Sequence, residues 1–128
     1  MQIDIVKLCQ CESEGIFIEF SSQYGVAKGL WKGNTPEINQ SYYVELDIRK
    51  TLIWEIDIIE TDCREYKMWS EQDNIFFNVK MESYENDGCL TVRLGDNVIL
   101  IETEGIPYSE GSFLKLQVNK ILIYPYDL

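Results

Sequence analysis

The chain contains no histidine, although its 128 residues include 22 acidic and 11 basic side chains. Histidine is the commonest general base near neutral pH and the commonest metal ligand in proteins. Its absence excludes the serine and cysteine triads that need a histidine base, and it excludes most catalytic metal sites. We therefore predict that the protein is not an enzyme.

Cysteine is scarce, with four residues at positions 9, 11, 63 and 89. Cys9 and Cys11 form a C-x-C pair, whereas zinc knuckles and redox sites use C-x-x-C. Without histidine only an all-cysteine zinc site remains, so we expect reduced, mostly buried thiols instead. The sequence thus predicts no metal and no cofactor.

Long apolar runs are also missing, since no run approaches the roughly 20 residues that span a bilayer. Residues 1–5 lack the basic start and apolar core of a secretory signal, and we expect a cytoplasmic protein. The net charge of −11 would repel phosphate backbones and anionic membranes. Neither a nucleic acid nor a membrane is therefore the expected partner.

What the chain does contain is a succession of short strand-like stretches separated by turn residues. Residues 75–84 alternate apolar and polar side chains, and Asn-Asp-Gly at 86–88 is a strong hairpin turn. The last strand is predicted over residues 113–126. About eight strands in antiparallel order predict one all-β domain over residues 1–128, either an antiparallel sandwich or a partly open small barrel.

One short helix is predicted over residues 62–72. Asp62 can cap its first turn, and Glu65 three residues later completes the spacing of a capping box. The residues that would share its inner face are Cys63, Tyr66 and Trp69.

The segment 42–49 alternates apolar residues with carboxylates. A period of two turns the apolar residues to the core and turns Glu45 and Asp47 to the outside. The residues expected inside are Val44, Leu46 and Ile48.

The segment 52–60 repeats this pattern, with Glu55 and Asp57 expected outside. The residues expected inside are Trp54, Ile56 and Ile58. Together the two segments predict an acidic sheet face that suits a basic partner. The candidate partner-binding residues are Tyr43, Glu45, Asp47, Glu55 and Asp57, with Tyr43 as an aromatic anchor.

Carboxylates two residues apart on a strand lie roughly 6 to 7 Å apart, a separation that could suit glycosidic bond hydrolysis. Such catalysis needs a concave site in which one carboxyl group is desolvated. A sheet face lined with several acids is expected to be solvated, so we favour a binding role.

Two parts of the chain resemble known small β proteins. Residues 29–33 (Gly-Leu-Trp-Lys-Gly), leading through Pro36 into residues 43–48, resemble small bacterial β proteins. Residues 111–118 and 122–125 resemble the closing strand of small oligonucleotide-binding-type barrels. That second resemblance would imply single-stranded nucleic acid as the ligand, but such binding needs a basic groove with stacking aromatics, which the acidic segments contradict.

Small acidic β proteins of this size are similar to the immunity proteins of bacterial toxin–immunity systems, including contact-dependent growth inhibition. The resemblance implies a cognate toxin, often a basic nuclease, whose active site or substrate channel the protein blocks. We therefore predict a protein-binding module that neutralises a basic toxin through its acidic face. The alternative is a structural or assembly protein that homodimerises through its edge strands.

Overall fold

The computed structural model describes residues 1–126, so the last two residues of the predicted domain lie outside the described range. The described residues form twelve strands. These are β1 (Gln2–Glu12), β2 (Gly15–Ser22), β3 (Gly25–Trp31), β4 (Ser41–Asp47), β5 (Leu52–Ile53), β6 (Ile58–Glu60), β7 (Lys67–Glu71), β8 (Asn74–Tyr84), β9 (Cys89–Leu94), β10 (Asn97–Glu104), β11 (Phe113–Val118) and β12 (Leu122–Pro125). The predicted all-β class is confirmed. The strands are more numerous than predicted because the segments 52–60 and 113–126 each divide into two, and the predicted helix contains a strand.

Five strands close into a small barrel in the order β1-β2-β3-β12-β4, and β1 pairs with β4 to complete the circle. β3 and β12 run parallel, whereas the other neighbours run antiparallel. Alternate residues point inward and fill the barrel, as the buried Ile18 and Phe20 on β2 illustrate. Gly29 lets β3 and β12 approach closely, because a Cβ there would lie 2.7 Å from the Ile123 side chain.

The other seven strands form a second sheet, in which six follow the order β5-β10-β9-β8-β11-β6 and β7 lies off this path. β7 pairs with residues 74–78 of β8, and β9 pairs with residues 80–84 of the same strand. The two ends of the sheet meet where Trp54 bridges Ile58, so this sheet is nearly closed. The predicted inward face of β8 is confirmed by its buried residues, which are Ile75, Phe77, Val79 and Met81.

The two sheets are joined by hydrogen bonds between β7 and the hairpin of β2 and β3. The Met68 N–H donates to the Tyr24 carbonyl at 3.0 Å, and the Lys28 N–H donates to Ser70 Oγ at 2.9 Å. Buried apolar residues from both sheets form one continuous cluster. The fold therefore has a shared core.

The predicted last strand over residues 113–126 is two strands that belong to different sheets. β11 pairs with β8 in the second sheet, and β12 pairs with β3 and β4 in the barrel. The alternation shifts at Asn119 and Lys120 because the chain crosses there from one sheet to the other.

The predicted helix over residues 62–72 is wrong, and no helix occurs within residues 1–126. Lys67–Glu71 is strand β7, which pairs with β8 through a tight turn at residues 72 and 73. Tertiary pairing overrides the capping-box spacing, because a helix of this length is marginal without packing. Residues 1–126 therefore contain no helix that is long and apolar enough to cross a membrane.

The expectation of mostly buried thiols is also wrong. Cys9 and Cys11 are exposed near the end of β1, and Cys63 and Cys89 are half-buried. All four thiols are free.

Candidate functional site

Strand β4 places three of the predicted binding residues on its outer side. Tyr43 and Glu45 are exposed and Asp47 is half-exposed, whereas Val44 between them is buried. The alternation predicted for residues 42–49 is therefore confirmed, with Leu46 only partly buried. It holds because β4 is paired along its whole length, first with β1 and then with β12.

An open groove of about 770 Å³ lies between β4 of the barrel and β10 of the second sheet. We call it the acidic groove, because the carboxylates of Glu45, Asp47 and Asp96 line it. Its apolar side includes Val98 and Leu100, whose side chains are 51% and 61% exposed. Its lining residues are Met1, Val44, Glu45, Leu46, Asp47, Leu94, Asp96, Asn97, Val98, Ile99, Leu100, Tyr124 and Tyr126.

Two strand edges without partners face each other across the acidic groove. Among the described residues, Glu45 to Asp47 pair only with β12, and the 97–102 part of β10 pairs only with β9. No backbone hydrogen bond joins β4 to β10 within residues 1–126. The groove therefore offers backbone donors and acceptors as well as side chains to a partner.

The alternation of an antiparallel ladder identifies these backbone groups. The backbone N–H and C=O groups of successive strand residues point to opposite sides of the strand. The Tyr43 carbonyl accepts a hydrogen bond from Tyr126 N–H, so the backbone groups of Leu46, three residues on, point the opposite way, toward the groove. The Thr103 N–H donates to the Gly88 carbonyl on the β9 side, so those of Leu100 point away from β9.

The two carboxylates of β4 each have a neighbour that fixes their position. The Tyr126 hydroxyl donates to Glu45 Oε1 at 3.2 Å. Desolvation, and then this hydrogen bond to a carboxylate, raise the pKa of Tyr126. Asp47 accepts from Arg49 Nε at 3.0 Å, and that hydrogen bond is the main cause of the raised pKa of the Arg49 guanidinium. Both carboxylates stay accessible to a cationic partner.

Glu55 and Asp57 do not lie on a strand face, which contradicts the predicted alternation over residues 52–60. β5 ends at Ile53, and β6 begins only at Ile58. Glu55 has a φ of 72°, a left-handed conformation that a continuous strand excludes. The predicted strand is thus a tight turn between two short strands.

Contacts on both sides hold this turn in place. The chain does not reverse there, because Trp54 and Ile58 form a parallel bridge and β5 and β6 run in the same direction. The Asp57 carboxylate accepts the Ile53 N–H at 2.9 Å. The buried Trp54 donates from Nε1 to Thr103 Oγ1 at 2.9 Å. The turn leaves Ile56 66% exposed, so its predicted inward orientation is wrong.

The structure therefore divides the predicted binding residues between two places. Glu45 and Asp47 line the acidic groove beside the barrel, whereas Glu55 and Asp57 lie at the edge of the second sheet and do not line it. The prediction of one acidic sheet face is wrong. Tyr43 shares the outer side of β4 with the groove carboxylates, although its side chain does not line the groove.

Sequence reasoning missed the β10 wall of the groove. Residues 98–101 read Val-Ile-Leu-Ile, an apolar run with no alternation. Such a run indicates a strand covered on both faces, and this signal could have marked Val98 and Leu100 as outward apolar residues. Asp96 lies in the hairpin turn before β10. Aspartate is common in turns, so its presence there does not indicate a binding site.

The acidic groove combines carboxylates with exposed apolar side chains. Among residues 1–126, no group of three or more metal-ligating side chains converges to hold an ion. No protein-family model matches the chain, and no curated protein or solved structure matches it either.

Proposed function

We propose that the protein is a non-enzymatic binding module that holds a basic protein partner in the acidic groove. One observation carries this proposal: Glu45 and Asp47 line an open groove together with the exposed Val98 and Leu100. Carboxylates next to exposed apolar side chains match a partner surface that carries Lys or Arg beside apolar residues.

The two kinds of side chain would contribute differently to binding. Negative charge speeds the encounter with a basic surface and gives charge-assisted hydrogen bonds to Lys and Arg. Burial of Val98 and Leu100 would supply a favourable apolar term. Tyr43, exposed on the same side of β4, would add an aromatic contact at the rim.

For the partner we propose a basic toxin of the nuclease type, which would make the protein an immunity protein of a toxin–immunity system. Support comes from the sequence resemblance and from the net charge of −11. A nuclease binds a polyanion through basic residues, so the carboxylates of the groove can pair with those residues and block the substrate. Glu55 and Asp57 would take part only if the toxin also reaches the second sheet.

The alternative, homodimerisation through edge strands, receives less support from the geometry. The end strands of the second sheet, β5 and β6, have only two and three residues. Such short edges offer few backbone groups for pairing with another copy. A homodimer would therefore have to form along the edges of β4 and β10 that are unpaired within residues 1–126, which the basic partner would also occupy. Sedimentation at increasing protein concentration separates the two proposals, because only the second requires a concentration-dependent dimer.

Charge reversal at matched positions tests the binding proposal. Glu45→Lys and Glu55→Lys change the net charge equally, but only the first lies in the acidic groove. With the protein encoded by the adjacent gene as partner, we expect Glu45→Lys to weaken binding about tenfold or more, mainly through slower association. Glu55→Lys should change the affinity by no more than about twofold, as expected for a charge outside the contact.

The opposite ranking of these variants would place the interface on the turn between β5 and β6. An equal loss in both would mean that the overall charge alone governs binding. If the neighbouring protein does not bind at all, or binds no better than an unrelated basic protein, the immunity proposal is wrong.

A further inference from the structure

Basic residues converge on one concave site, even though the chain as a whole is strongly acidic. A pocket of about 380 Å³ lies at one end of the closed barrel, and four of the 11 basic residues line it. We call it the cationic pocket. Its lining residues are Glu14, Lys32, Arg49, Lys50, Asn119, Lys120 and Leu122.

The barrel topology brings these residues together from four separate loops. Glu14 lies in the turn between β1 and β2, and Lys32 directly follows β3. Arg49 and Lys50 follow β4, and Lys120 precedes β12. The pairing of Gly15 with Glu12 and of Leu122 with Asp47 places these chain segments at one end of the barrel.

Carboxylates neutralise only part of this positive charge. Glu14 Oε2 accepts from Lys120 Nζ at 2.8 Å, and Arg49 pairs with Asp47. Lys32 Nζ donates instead to the backbone carbonyl of Glu14 at 2.7 Å. In the part of the chain that the structure describes, neither Lys32 nor Lys50 forms an ion pair.

The local field of the pocket acts on its single acidic side chain. The hydrogen bond from Lys120 and its charge lower the pKa of Glu14, and the charges of Lys32 and Arg49 lower it further. The same pair raises the pKa of Lys120. Glu12 also acts on Lys120, so the positive charge left for an anion is that of Lys32 and Lys50.

We propose that the cationic pocket binds a small phosphorylated anion with at least two negative charges. A concave site lined by one sign of charge concentrates counter-ions of the other sign. The guanidinium of Arg49 donates from Nε to Asp47 and from Nη2 to the Tyr124 hydroxyl, so it can offer Nη1 to a phosphate oxygen. The Lys32 and Lys50 ammonium groups act as point charges beside it. A single carboxylate would leave part of this donor set unused.

A small anion fits better than a nucleic acid strand. A strand would have to extend beyond the pocket, and the net charge of −11 repels a long chain of phosphates. The acidic groove also begins close by, because Asp47 lines the groove while its partner Arg49 lines the pocket. This site is separate from the proposed function, since it selects ligands of the opposite charge.

Titration calorimetry with pyrophosphate at low ionic strength tests the proposal on the whole chain without any protein partner. We expect saturable binding with a Kd on the order of 100 µM that weakens as salt is added. Lys50→Gln should raise this Kd about fivefold, since it removes one charge-assisted contact. The control Lys7→Gln removes one charge from β1 outside the pocket, and the Kd should then change by less than about twofold.

Three results would overturn the proposal. One is the absence of saturable pyrophosphate binding, and another is an equal loss in Lys50→Gln and Lys7→Gln. The third is a single-stranded oligonucleotide that binds more tightly than pyrophosphate and is weakened by Lys50→Gln, because the pocket would then be part of a nucleic acid site. None of these results depends on a basic protein partner, so the proposed function is tested separately.

Discussion

The segments 42–49 and 52–60 have the same alternating sequence pattern, yet they adopt different backbone structures. The first contains one continuous strand, β4, with its carboxylates on the outer side. The second is two short strands and a turn, and its carboxylates lie in that turn. Alternation of side chains alone therefore does not establish a strand.

The difference lies in the neighbours that each segment has. β4 has a pairing partner at every residue from Ser41 to Asp47. The second segment pairs with β10 through two residues only, and then with β11 through three. Between these contacts the buried Trp54 and the Asp57 carboxylate hold the chain in a turn. An alternating pattern predicts exposure only where a partner strand runs beside it.

The prediction with the largest expected effect compares alanine substitutions at Ile56 and Ile58, two residues that the alternating pattern places equally on the inside. Ile58 is fully buried in the core, whereas Ile56 is largely exposed at the turn. We expect Ile58→Ala to lower the free energy of unfolding by about 2–5 kcal/mol, because it leaves a cavity. Ile56→Ala should change it by less than about 0.5 kcal/mol. Urea denaturation of both variants, with m-values compared, measures the two effects.

Equal losses for Ile56→Ala and Ile58→Ala would mean that the segment is a continuous strand after all. The exposed Ile59 provides a control on the other side of Ile58, since Ile59→Ala should also have a small effect.

Much of the fold could be predicted because alternation and turn residues are local signals. The inward face of β8 and the turn before β9 follow directly from them. The division of residues 113–126 between two sheets could not be predicted, because it depends on which strands lie beside β11 and β12. Short runs such as Lys67–Glu71 gain their strand conformation from a partner strand rather than from their own propensity.

The candidate site was predictable only where it lies on a single strand. A period of two correctly placed Glu45 and Asp47 on the outside of β4. The opposite wall of the acidic groove is more than 40 residues further along the chain, on β10, and no local pattern links the two strands. The cationic pocket is hidden for the same reason, since its charges come from four loops.

A smaller test uses the same substitution at the two glutamates. Glu45→Gly should lower stability by about 1 kcal/mol, because glycine is unfavourable within a strand. Glu55→Gly should raise stability by up to about 1 kcal/mol, since glycine relieves the left-handed φ of 72°. The change in unfolded-chain entropy is common to both variants and cancels in their difference. Thermal and urea unfolding of the pair would contradict the assigned turn if both variants lost stability equally.

The prediction with the smallest expected effect concerns the hydroxyl of Tyr126, which donates to Glu45. Glu45→Gln removes the carboxylate that accepts from the Tyr126 hydroxyl, so the raised pKa of Tyr126 should fall but stay above its usual value, because desolvation is the larger cause. Glu55→Gln should leave that pKa unchanged, since the turn does not contact Tyr126. Absorbance titration of tyrosinate, with Tyr126→Phe subtracted, isolates the group.

The sign of the accompanying stability change follows from the direction of that pKa shift. A tyrosine whose pKa is raised by folding contributes stability that is fully present below its unfolded pKa of about 10, and that is lost as the pH rises through the folded value. The alkaline loss of stability should therefore be smaller in Glu45→Gln than in the parent, and unchanged in Glu55→Gln. A Glu55→Gln variant that altered the titration of Tyr126 would place the two carboxylates close together, as one acidic face requires, and would contradict their separation onto two sheets.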